Sequence, residues 1–295
     1  MATLDRAQDA RYNASMANPP PIITLLTDFG DADAYVGVMK GVILGIAPTA
    51  HLVDLSHQIA PQDIRQAALI LSNTYPYFPA HTVHMVVVDP GVGTKRRPIA
   101  VQTPGGRFVA PDNGVLTYVL ERELEWKAVE LTAEDYRLPE PSRTFHGRDI
   151  FSPAAAYLAA GMLLEQLGPA ITDPVHLLLP RLAATMNSVQ GEVVRIDHFG
   201  NVITNILPLR WFDDRTLAFD PKPGEGFPAS FRADQVRITV GWHTLHGIHA
   251  TYHTLLTGQA GAIVGSDSEL EIAINQGNAA ESLGIKVGAP VILRI

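Results

Sequence analysis

The residues best suited to chemistry in this sequence are two carboxylates that end apolar, β-branched segments. Asp89 follows the run from Thr82 to Val88, and Asp28 follows the run from Ile22 to Thr27. Such runs predict buried strands, and open α/β sheets bind their ligands beyond the carboxyl ends of their strands. Both carboxylates are therefore expected at one edge of a sheet, where a carboxylate can bind a ligand or accept a proton.

The segment after Asp89 supplies possible cationic partners. The glycine-rich segment 90–93 predicts a turn with room for close backbone approach, and Arg96 and Arg97 follow it. It lacks the GxxxxGK[ST] spacing of a phosphate-binding loop. From these residues alone two interpretations stay open. Asp89 is either a ligand-binding group or a structural carboxylate whose charge one of the two arginines balances.

His146 is a third candidate, because it lies in a loop at the entrance to a predicted helix. That helix is the Ala-rich run Ile150–Gly161, with Asp149 as its expected cap. Functional imidazoles are common in such loops. The alternative is a structural histidine that bonds to Arg148 or Asp149.

Two polar groups stand out in the C-terminal part of the chain. The segment 197–201 reads Asp-His-Phe-Gly-Asn, and the Asn201 amide has both the donor and the acceptor that an adenine edge requires. The alternative there is an Asx turn that precedes a strand. Four histidines lie close together in sequence at His243, His246, His249 and His253. Their neighbours favour strand or loop and no carboxylate completes the set, so a metal site is not predicted.

Strands and helices alternate in the N-terminal part. Strand, helix, strand, helix and strand are predicted at Ile22–Thr27, Tyr35–Ile46, His51–Leu55, Asp63–Asn73 and Thr82–Val88. Asp33 and Asp63 are the predicted helix caps. This order is typical of parallel crossovers and predicts an α/β domain with a largely parallel sheet over residues 21–180. Two short strands, Pro98–Gln102 and Phe108–Ala110, are expected to follow.

The chain changes character at its two ends. Short strands separated by dense turns predict a smaller, all-β barrel domain over residues 190–295, with one of the strands at Phe231–Val240. Residues 1–20 are polar and Ala-rich and end in a run of prolines, which predicts a mobile N-terminal extension.

Composition excludes several classes of protein. The 295 residues are 46% hydrophobic and 18% charged, as in an ordinary globular protein, and the net charge of −8 argues against a nucleic-acid or anionic-membrane surface. The absence of cysteine excludes disulfides, thiolate metal sites and a cysteine nucleophile. No apolar run reaches the roughly 18 residues of a membrane helix, and no signal peptide is recognisable, so a cytoplasmic location is expected.

Short motifs spread along the chain carry a family resemblance. They are, in order, Thr27-Asp28-Phe29-Gly30, Tyr35-Val36-Gly37, Val53-Asp54-Leu55-Ser56-His57, Val88-Asp89-Pro90-Gly91-Val92-Gly93-Thr94, Pro111-Asp112-Asn113-Gly114, Phe145-His146-Gly147-Arg148-Asp149, Ile196-Asp197-His198-Phe199-Gly200-Asn201 and Leu270-Glu271-Ile272-Ala273-Ile274-Asn275. Together they resemble the S-adenosyl-L-methionine (SAM) hydroxide adenosyltransferases, or SAM hydrolases, which are relatives of the fluorinase and chlorinase.

The resemblance implies water attack at the ribose C5′ of SAM to give adenosine and methionine, without a metal or cofactor. It implies a homotrimer whose sites lie between the N-terminal domain of one subunit and the C-terminal domain of a neighbour. It assigns catalysis to Asp89, Arg96 and His146, with Arg96 preferred over Arg97 by the family pattern only. Whether Asp89 or His146 accepts the proton stays open.

The resemblance also implies roles in substrate binding. Asp28 would accept the ribose hydroxyls and Phe145 would line the ribose pocket. Asn201, Phe199 and Tyr252 would hold the adenine part. Asp197 and Ser266 would hold the methionine part.

Two other functions are alternatives to hydrolysis. A SAM-dependent halogenase would carry a tyrosine in place of Asp89. The fluorinase also has a tryptophan where this chain has Gln62, but a hydrolase does not require that residue, so this difference does not affect the choice. A non-catalytic adenosine- or SAM-binding protein would not need Asp89, Arg96 and His146 together. The complete set therefore favours the hydrolase.

Overall fold

The computed structural model describes residues 19–219 and 229–295, in two compact units that divide between Leu177 and Leu178. The mobile extension was predicted over residues 1–20, of which residues 1–18 lie outside the described residues. No helix among the described residues is long and apolar enough to cross a membrane.

The first unit is a mixed α/β structure built on one large sheet. Its strands are β1 (Ile22–Thr27), β2 (His51–Ser56), β3 (Val83–Val87), β4 (Pro98–Thr103), β5 (Gly106–Pro111), β6 (Lys127–Glu130) and β7 (Ala170–Ile171). Its α-helices are α1 (Tyr35–Ile46), α2 (Ile64–Thr74), α3 (Thr117–Arg122) and α4 (Ser152–Ala159). A single π-helical turn, Gly147–Phe151, leads directly into α4.

The sheet runs in the order β2-β1-β3-β5-β4-β6-β7. The first four strands in this order are mutually parallel, as the alternation of strands and helices predicted. The other three join by antiparallel pairing, so the prediction of a largely parallel sheet was wrong and the sheet is mixed. The reason is local: β4 and β5 are linked by Pro104 and Gly105 alone, and parallel neighbours need a crossover of a dozen or more residues.

The helices cover both faces of this sheet. Alternate residues of β1 point to opposite faces, with Leu25 packed among residues of α1 and α4 and Leu26 among residues of α2 and α3. Asp63 caps α2 as predicted, because its carboxylate accepts the backbone N–H of Gln66. Asp33 does not cap α1, whose N-cap is the next residue along the chain and has no side-chain cap.

The register of β1 and β3 brings the two candidate carboxylates to one edge. Thr27 pairs with Val87 in a parallel ladder, so Asp28 and Asp89 both follow the carboxyl ends of adjacent strands. The sequence-based prediction on this point is confirmed.

The second unit is dominated by a nearly closed, barrel-like sheet. Its strands are β8 (Ala183–Thr185), β9 (Ser188–Ile196), β10 (Val202–Thr204), β14 (Arg237–Val240), β15 (His243–His246), β16 (Ile248–His249), β17 (Ala260–Val264), β18 (Leu270–Ile274) and β19 (Pro290–Arg294). A separate sheet contains β11 (Leu209–Trp211), β12 (Thr216–Phe219) and β13 (Ala229–Arg232).

Two details of this unit depart from the prediction. The single strand expected at Phe231–Val240 is interrupted by a 3₁₀ turn, Ala233–Gln235, and its two halves belong to different sheets. The unit is also not purely β, since a short helix α5 (Ala279–Leu283) begins at Asn278, whose side chain caps it. Capping by asparagine and a left-handed Gly284 at the other end make one helical turn favourable here.

Candidate active site

Asp89 and Arg96 form a buried ion pair at the sheet edge. Arg96 Nε donates to Asp89 Oδ1 at 3.0 Å, and Arg96 Nη2 donates to Asp89 Oδ2. The two side chains are only 5% and 6% exposed. The planar guanidinium and the carboxylate thus meet through two parallel hydrogen bonds, which fixes the orientation of both groups.

Arg97, the other possible partner, binds elsewhere. Its Nε donates to Asp112 Oδ2 at 2.8 Å, and its Nη1 donates to Asp173 Oδ1 at 2.9 Å. These bonds tie two loops of the first unit together. Arg96 is therefore the arginine that Asp89 binds.

Two backbone contacts hold this pair in place. Asn113 Nδ2 donates to the carbonyl of Val88 at 2.9 Å, directly before Asp89. Gly93 has a φ of +77°, and a Cβ there would lie 2.6 Å from the carbonyl oxygen of Arg143. Only glycine permits this approach, so the loop that carries Arg96 packs closely on the loop that leads to His146.

His146 completes a three-residue cluster. Its Nδ1 lies 3.1 Å from Arg96 Nη2. The residue stands at the start of the π-helical turn, a geometry that is frequent at functional sites. Burial, followed by the positive charge of Arg96, lowers the pKa of the imidazole, and Asp89 partly opposes this.

The alternative partners of His146 are engaged with each other. Arg148 forms two hydrogen bonds to the carboxylate of Asp149, which also accepts the backbone N–H of Ser142. Asp149 lies inside the π-helical turn and does not act as a helix cap, so its predicted capping role was wrong.

The hydrogen bonding of the cluster determines the protonation of His146. Arginine has no acceptor, so Nδ1 of His146 must accept from Arg96 and the ring proton resides on Nε2. The neutral imidazole is thus a hydrogen-bond donor through Nε2. Arg96 Nη1 is buried and has no hydrogen-bond partner among the described residues. Such a donor can hold an oxygen atom of a ligand or of water.

Asp28, at the same sheet edge, is held by a strained loop. Its Oδ2 accepts the backbone N–H of Gln62 at 2.8 Å. Gln62 has a φ of +67°, which residues other than glycine rarely adopt. The bond leaves Oδ1 of Asp28 free for other donors, since no described residue is seen to donate to it.

A chain of polar contacts begins at Thr27, the residue before Asp28. Thr27 Oγ1 is 2.8 Å from His57 Nδ1, and His57 Nε2 is 3.0 Å from the Asp54 carboxylate, which Lys40 also contacts at 2.6 Å. Burial opposes the ionisation of Asp54, but the hydrogen bonds from Lys40 and His57 prevail and hold its pKa below the usual value. The chain locks the ends of β1 and β2 together.

Phe145 belongs to an aromatic group beside these polar residues. Its ring centroid lies 6.0 Å from that of Phe29 and 5.1 Å from that of Tyr35, both edge to face. Tyr35 is 49% exposed, so the group presents an apolar face to solvent. Such a face suits a sugar ring or a flat ligand.

The other predicted site residues lie together in the second unit. Asp197, Phe199, Asn201, Tyr252 and Ser266 all line one open cavity of about 330 Å³. Tyr252 and Ser266 are distant in sequence from the segment 197–201, and the fold of the second unit brings them to the same cavity.

The segment 197–201 is an Asx turn as well as a cavity wall. Asp197 Oδ1 accepts the backbone N–H groups of Phe199 and Asn201 at 2.9 and 2.8 Å, and its Oδ2 accepts Asn201 Nδ2 at 3.0 Å. One N–H of Asn201 Nδ2 is engaged in this way, which leaves the second N–H and Oδ1 for a ligand. Phe199 is 73% exposed and can stack on a flat ring.

Sequence reasoning missed two acidic residues of this cavity. Glu269 and Glu271 line it and are each 4% exposed. Their alternation with Leu270 and Ile272, which face the barrel core, was the available signal. The late histidines are not part of the cavity. His243 Nε2 lies 2.9 Å from the carbonyl of Leu283, and the described residues contain no group of three or more His, Asp or Glu placed to hold a metal.

Comparison with known proteins gives consistent matches over most of the chain. Residues 23–168 match the sequence profile of the SAM hydroxide adenosyltransferase N-terminal domain, and residues 191–292 match that of the C-terminal domain. A protein of Salinispora tropica named (R)-S-adenosyl-L-methionine hydrolase is 37% identical over 92% of this chain and 96% of its own length. One of Thermus thermophilus with the same name is 38% identical over 92% and 98%.

Two further matches extend this comparison. A protein of Actinoplanes sp. named fluorinase is 31% identical over 63% of this chain and 71% of its own length. The crystal structure of an uncharacterised conserved protein from Thermotoga maritima superposes with a TM-score of 0.80 at 36% identity, covering 92% of this chain and all of that one.

Proposed function

This chain belongs to the SAM hydroxide adenosyltransferase family, and from that membership we propose that it hydrolyses S-adenosyl-L-methionine to adenosine and L-methionine. The observation that carries the proposal is the buried cluster of Asp89, Arg96 and His146. Its three members are hydrogen-bonded to one another, and the buried Arg96 Nη1, which has no partner among the described residues, can hold a water molecule.

The leaving group and the nucleophile of this reaction need different amounts of assistance from the protein. The oxygen of water forms a bond to C5′ while the C5′–S bond breaks, and the bonding pair stays on sulfur. The sulfonium thus leaves as a neutral thioether, which requires neither a general acid nor a metal or other cofactor. The water is the difficult partner, because its pKa is near 15.7 in bulk solution.

We assign the acceptance of the water proton to Asp89. His146 cannot take it on Nδ1 while Arg96 donates to that atom, and Nε2 already carries the ring proton. Asp89 is the remaining base, and the neutral imidazole serves as a donor that orients the water. Over the whole reaction one proton is released to solvent.

The remaining site residues divide between the two units. Asp28 would accept the ribose hydroxyls through its free Oδ1, beside Phe145. In the second unit Asn201 would bind adenine through its side-chain amide, with Phe199 and Tyr252 against the adenine ring. Asp197 and Ser266 would contact the methionine end. The shared lining of one cavity supports this grouping.

The assembly and location are proposed from the family alone. We propose a homotrimer in which the first unit of one protomer and the second unit of a neighbour form each site. We also propose a cytoplasmic protein, since SAM is an intracellular metabolite. Nucleic acid and membrane partners are not expected at a net charge of −8.

The test is hydrolysis in oxygen-18 water by chelator-treated protein, with products identified by mass spectrometry. We expect adenosine with one heavy oxygen, and a loss of roughly 10³-fold in kcat for Asp89→Asn, since a positioned general base contributes 10²–10⁴-fold. Asp33→Asn is the matched control, because Asp33 is exposed and caps no helix. SAM that stays tightly bound without formation of adenosine would contradict the proposal. Product formed only with added halide would favour a halogenase.

A further inference from the structure

We infer that His57 is a positioning residue for Asp28 and restrains the backbone on both sides of that carboxylate. The inference rests on the proposed function only for the group that Asp28 binds, the ribose of an adenosine. His57 ends the motif Val53-Asp54-Leu55-Ser56-His57, to which the proposed reaction assigns no role.

The first restraint acts on the residue before Asp28. His57 Nδ1 lies 2.8 Å from Thr27 Oγ1, and the two residues are 6% and 0% exposed. The same hydroxyl oxygen accepts the backbone N–H of Phe29 at 3.3 Å. Through one hydroxyl group the imidazole is thus connected to the residues directly before and directly after Asp28.

The second restraint uses the backbone of His57. Its carbonyl oxygen accepts the backbone N–H of Gly30 at 2.8 Å. A substitution of the imidazole removes the first restraint and leaves the second in place. The loop from Thr27 to Gly30 should then keep its course, while Asp28 loses its fixed orientation.

The pairing of β1 with β2 explains why this imidazole faces the end of β1. Leu25 pairs with Asp54, whereas the next residue of β1 pairs with Ser56, so β2 has one extra residue at this point. The irregularity advances β2 by one position and brings His57 to Thr27. Bulges in a strand re-aim side chains in this way and are over-represented next to active sites.

Asp54 and Lys40 fix the position of the ring proton. Lys40 Nζ donates to Asp54 Oδ2 at 2.6 Å, and His57 Nε2 lies 3.0 Å from Asp54 Oδ1. Burial raises the pKa of Asp54, but the hydrogen bonds from Lys40 and His57 outweigh it and hold the pKa below its usual value. An ionised carboxylate only accepts, so Nε2 carries the proton of the neutral ring and Nδ1 accepts from the Thr27 hydroxyl.

The carboxylate held in this way has one oxygen for a ligand. Asp28 Oδ2 accepts the backbone N–H of Gln62 at 2.8 Å, and no described residue is seen to donate to Oδ1. A ribose presents two adjacent hydroxyl groups, and hydrogen bonds weaken steeply when their angles depart from the optimum. A change in the orientation of Asp28 should therefore weaken binding of the two hydroxyls and leave the contacts of the base unchanged.

The experiment is a binding titration of adenosine and of 2′,3′-dideoxyadenosine, which lacks both ribose hydroxyls. His57→Gln keeps an amide that reaches Asp54 but no acceptor at the position of Nδ1, so the bond to Thr27 is lost. We expect the Kd for adenosine to rise roughly tenfold, as for a lost hydrogen bond to a charged group, and the Kd for the dideoxynucleoside to stay the same. Thr27→Val removes the hydroxyl at nearly constant shape and should reproduce this selective loss.

A double variant tests whether His57 acts through Asp28. Adding His57→Gln to Asp28→Ala should raise the Kd for adenosine no further, because residues that act through one another are not additive. His57→Asn places an acceptor near the position of Nδ1 and should restore most of the affinity. His51→Gln is the matched control, since His51 is an exposed histidine at the start of β2.

Weakening of both nucleosides to the same extent, or a further loss in the Asp28→Ala background, would overturn the inference and leave His57 a general support of the fold. Hydrolysis of SAM by the unmodified protein is scored separately. The selective loss of adenosine binding in a protein that does not hydrolyse SAM would refute the proposed function and leave this inference standing. Hydrolysis with no effect of His57→Gln on adenosine binding would do the reverse.

Discussion

At the residue scale, the direction of one hydrogen bond determines the chemistry of the cluster. Arg96 donates to both Asp89 and His146, so the carboxylate and the imidazole are both acceptors toward it. Three titratable groups in contact usually leave the proton ambiguous. Here a residue that cannot accept a hydrogen bond removes the ambiguity, and the imidazole works in its neutral form.

This geometry predicts the pH dependence of the reaction. Protonation of Nδ1 would place an imidazolium against Arg96, and burial and Arg96 hold the pKa of His146 below its usual value of 6.5. The activity should therefore persist as pH falls through 6.5 and decline only below it. Steady-state kcat/KM measured from pH 4.5 to 8 gives the profile.

The variant His146→Gln should lower kcat/KM roughly 10²-fold and abolish this acid limb. His51→Gln, at an exposed position on β2, should leave the profile unchanged. An acid limb at or above pH 6.5 in the unmodified protein would contradict the assignment.

At the element scale, the loops after the parallel strands carry the site, and the strands and helices hold those loops. Asp28 and Asp89 follow adjacent strands, and the Gln62 loop reaches over from the next connection to bind Asp28. Backbone strain of roughly 1–3 kcal/mol at a left-handed non-glycine residue persists only where its surroundings hold it. The capped start of α2 at Asp63 supplies that restraint directly after Gln62.

Substitution at Gln62 tests this restraint. Gln62→Val places a β-branched residue at a φ of +67°, so the loop should shift and Asp28 should lose its backbone donor. We expect the KM for SAM to rise roughly tenfold with little change in kcat. Gln62→Gly is the matched control and should keep the original KM. An equal rise in KM for both variants would show that loss of the glutamine side chain, and not a shift of the backbone, causes the effect.

The buried histidine on β3 predicts an acid dependence of stability. His84 is fully buried, with Nδ1 bonded to Thr24 and the ring stacked on Phe108, and burial lowers its pKa to about 4. The unfolded chain binds a proton near pH 6.5 that the folded chain does not, so folding weakens as pH falls between these values. The contribution is roughly 3 kcal/mol, complete by about pH 4.

Thermal unfolding of the unmodified protein and of His84→Gln at pH 7 and pH 4.5 measures this effect. The unmodified protein should lose more stability between the two values than the variant does. Parallel losses in the two proteins would show that other groups cause the acid sensitivity.

At the scale of the whole molecule, the predicted site residues fall into two sets on two compact units. The Asp89 cluster and Asp28 belong to the first unit, and the cavity with Asn201 and Glu269 belongs to the second. The first set contains the proposed base, and the second contains the proposed contacts to adenine and methionine. This division is the reason why the proposed homotrimer matters for activity.

Subunit mixing tests the shared site. Asp89→Asn and Asn201→Ala chains, each inactive alone, are co-expressed with different tags and the mixed oligomers purified. If neighbours share sites, about one quarter of the sites in a random mixture pair two intact units, so activity should recover to that fraction. Light scattering should give three times the 31.9 kDa chain mass. Mixed trimers without activity would place each site within a single chain.

The sequence by itself determined the chemistry available and much of its local placement. Strand composition located β1 and β3, helical spacing located α1, and the order of these elements brought Asp28 and Asp89 to one edge, because parallel crossovers align carboxyl ends. Family motifs identified the remaining candidates. These features depend on short stretches of chain, which sequence patterns describe well.

Only the tertiary structure decided what depends on contacts between distant segments. It shows that Arg96, which the family pattern already favours over Arg97, is the partner of Asp89. It also sets the tautomer of His146 and leaves Glu269 Oε2 unpaired among the described residues. It also made the sheet mixed. Each outcome is a matter of which groups across the fold come within hydrogen-bond distance, and burial then makes those contacts energetically decisive.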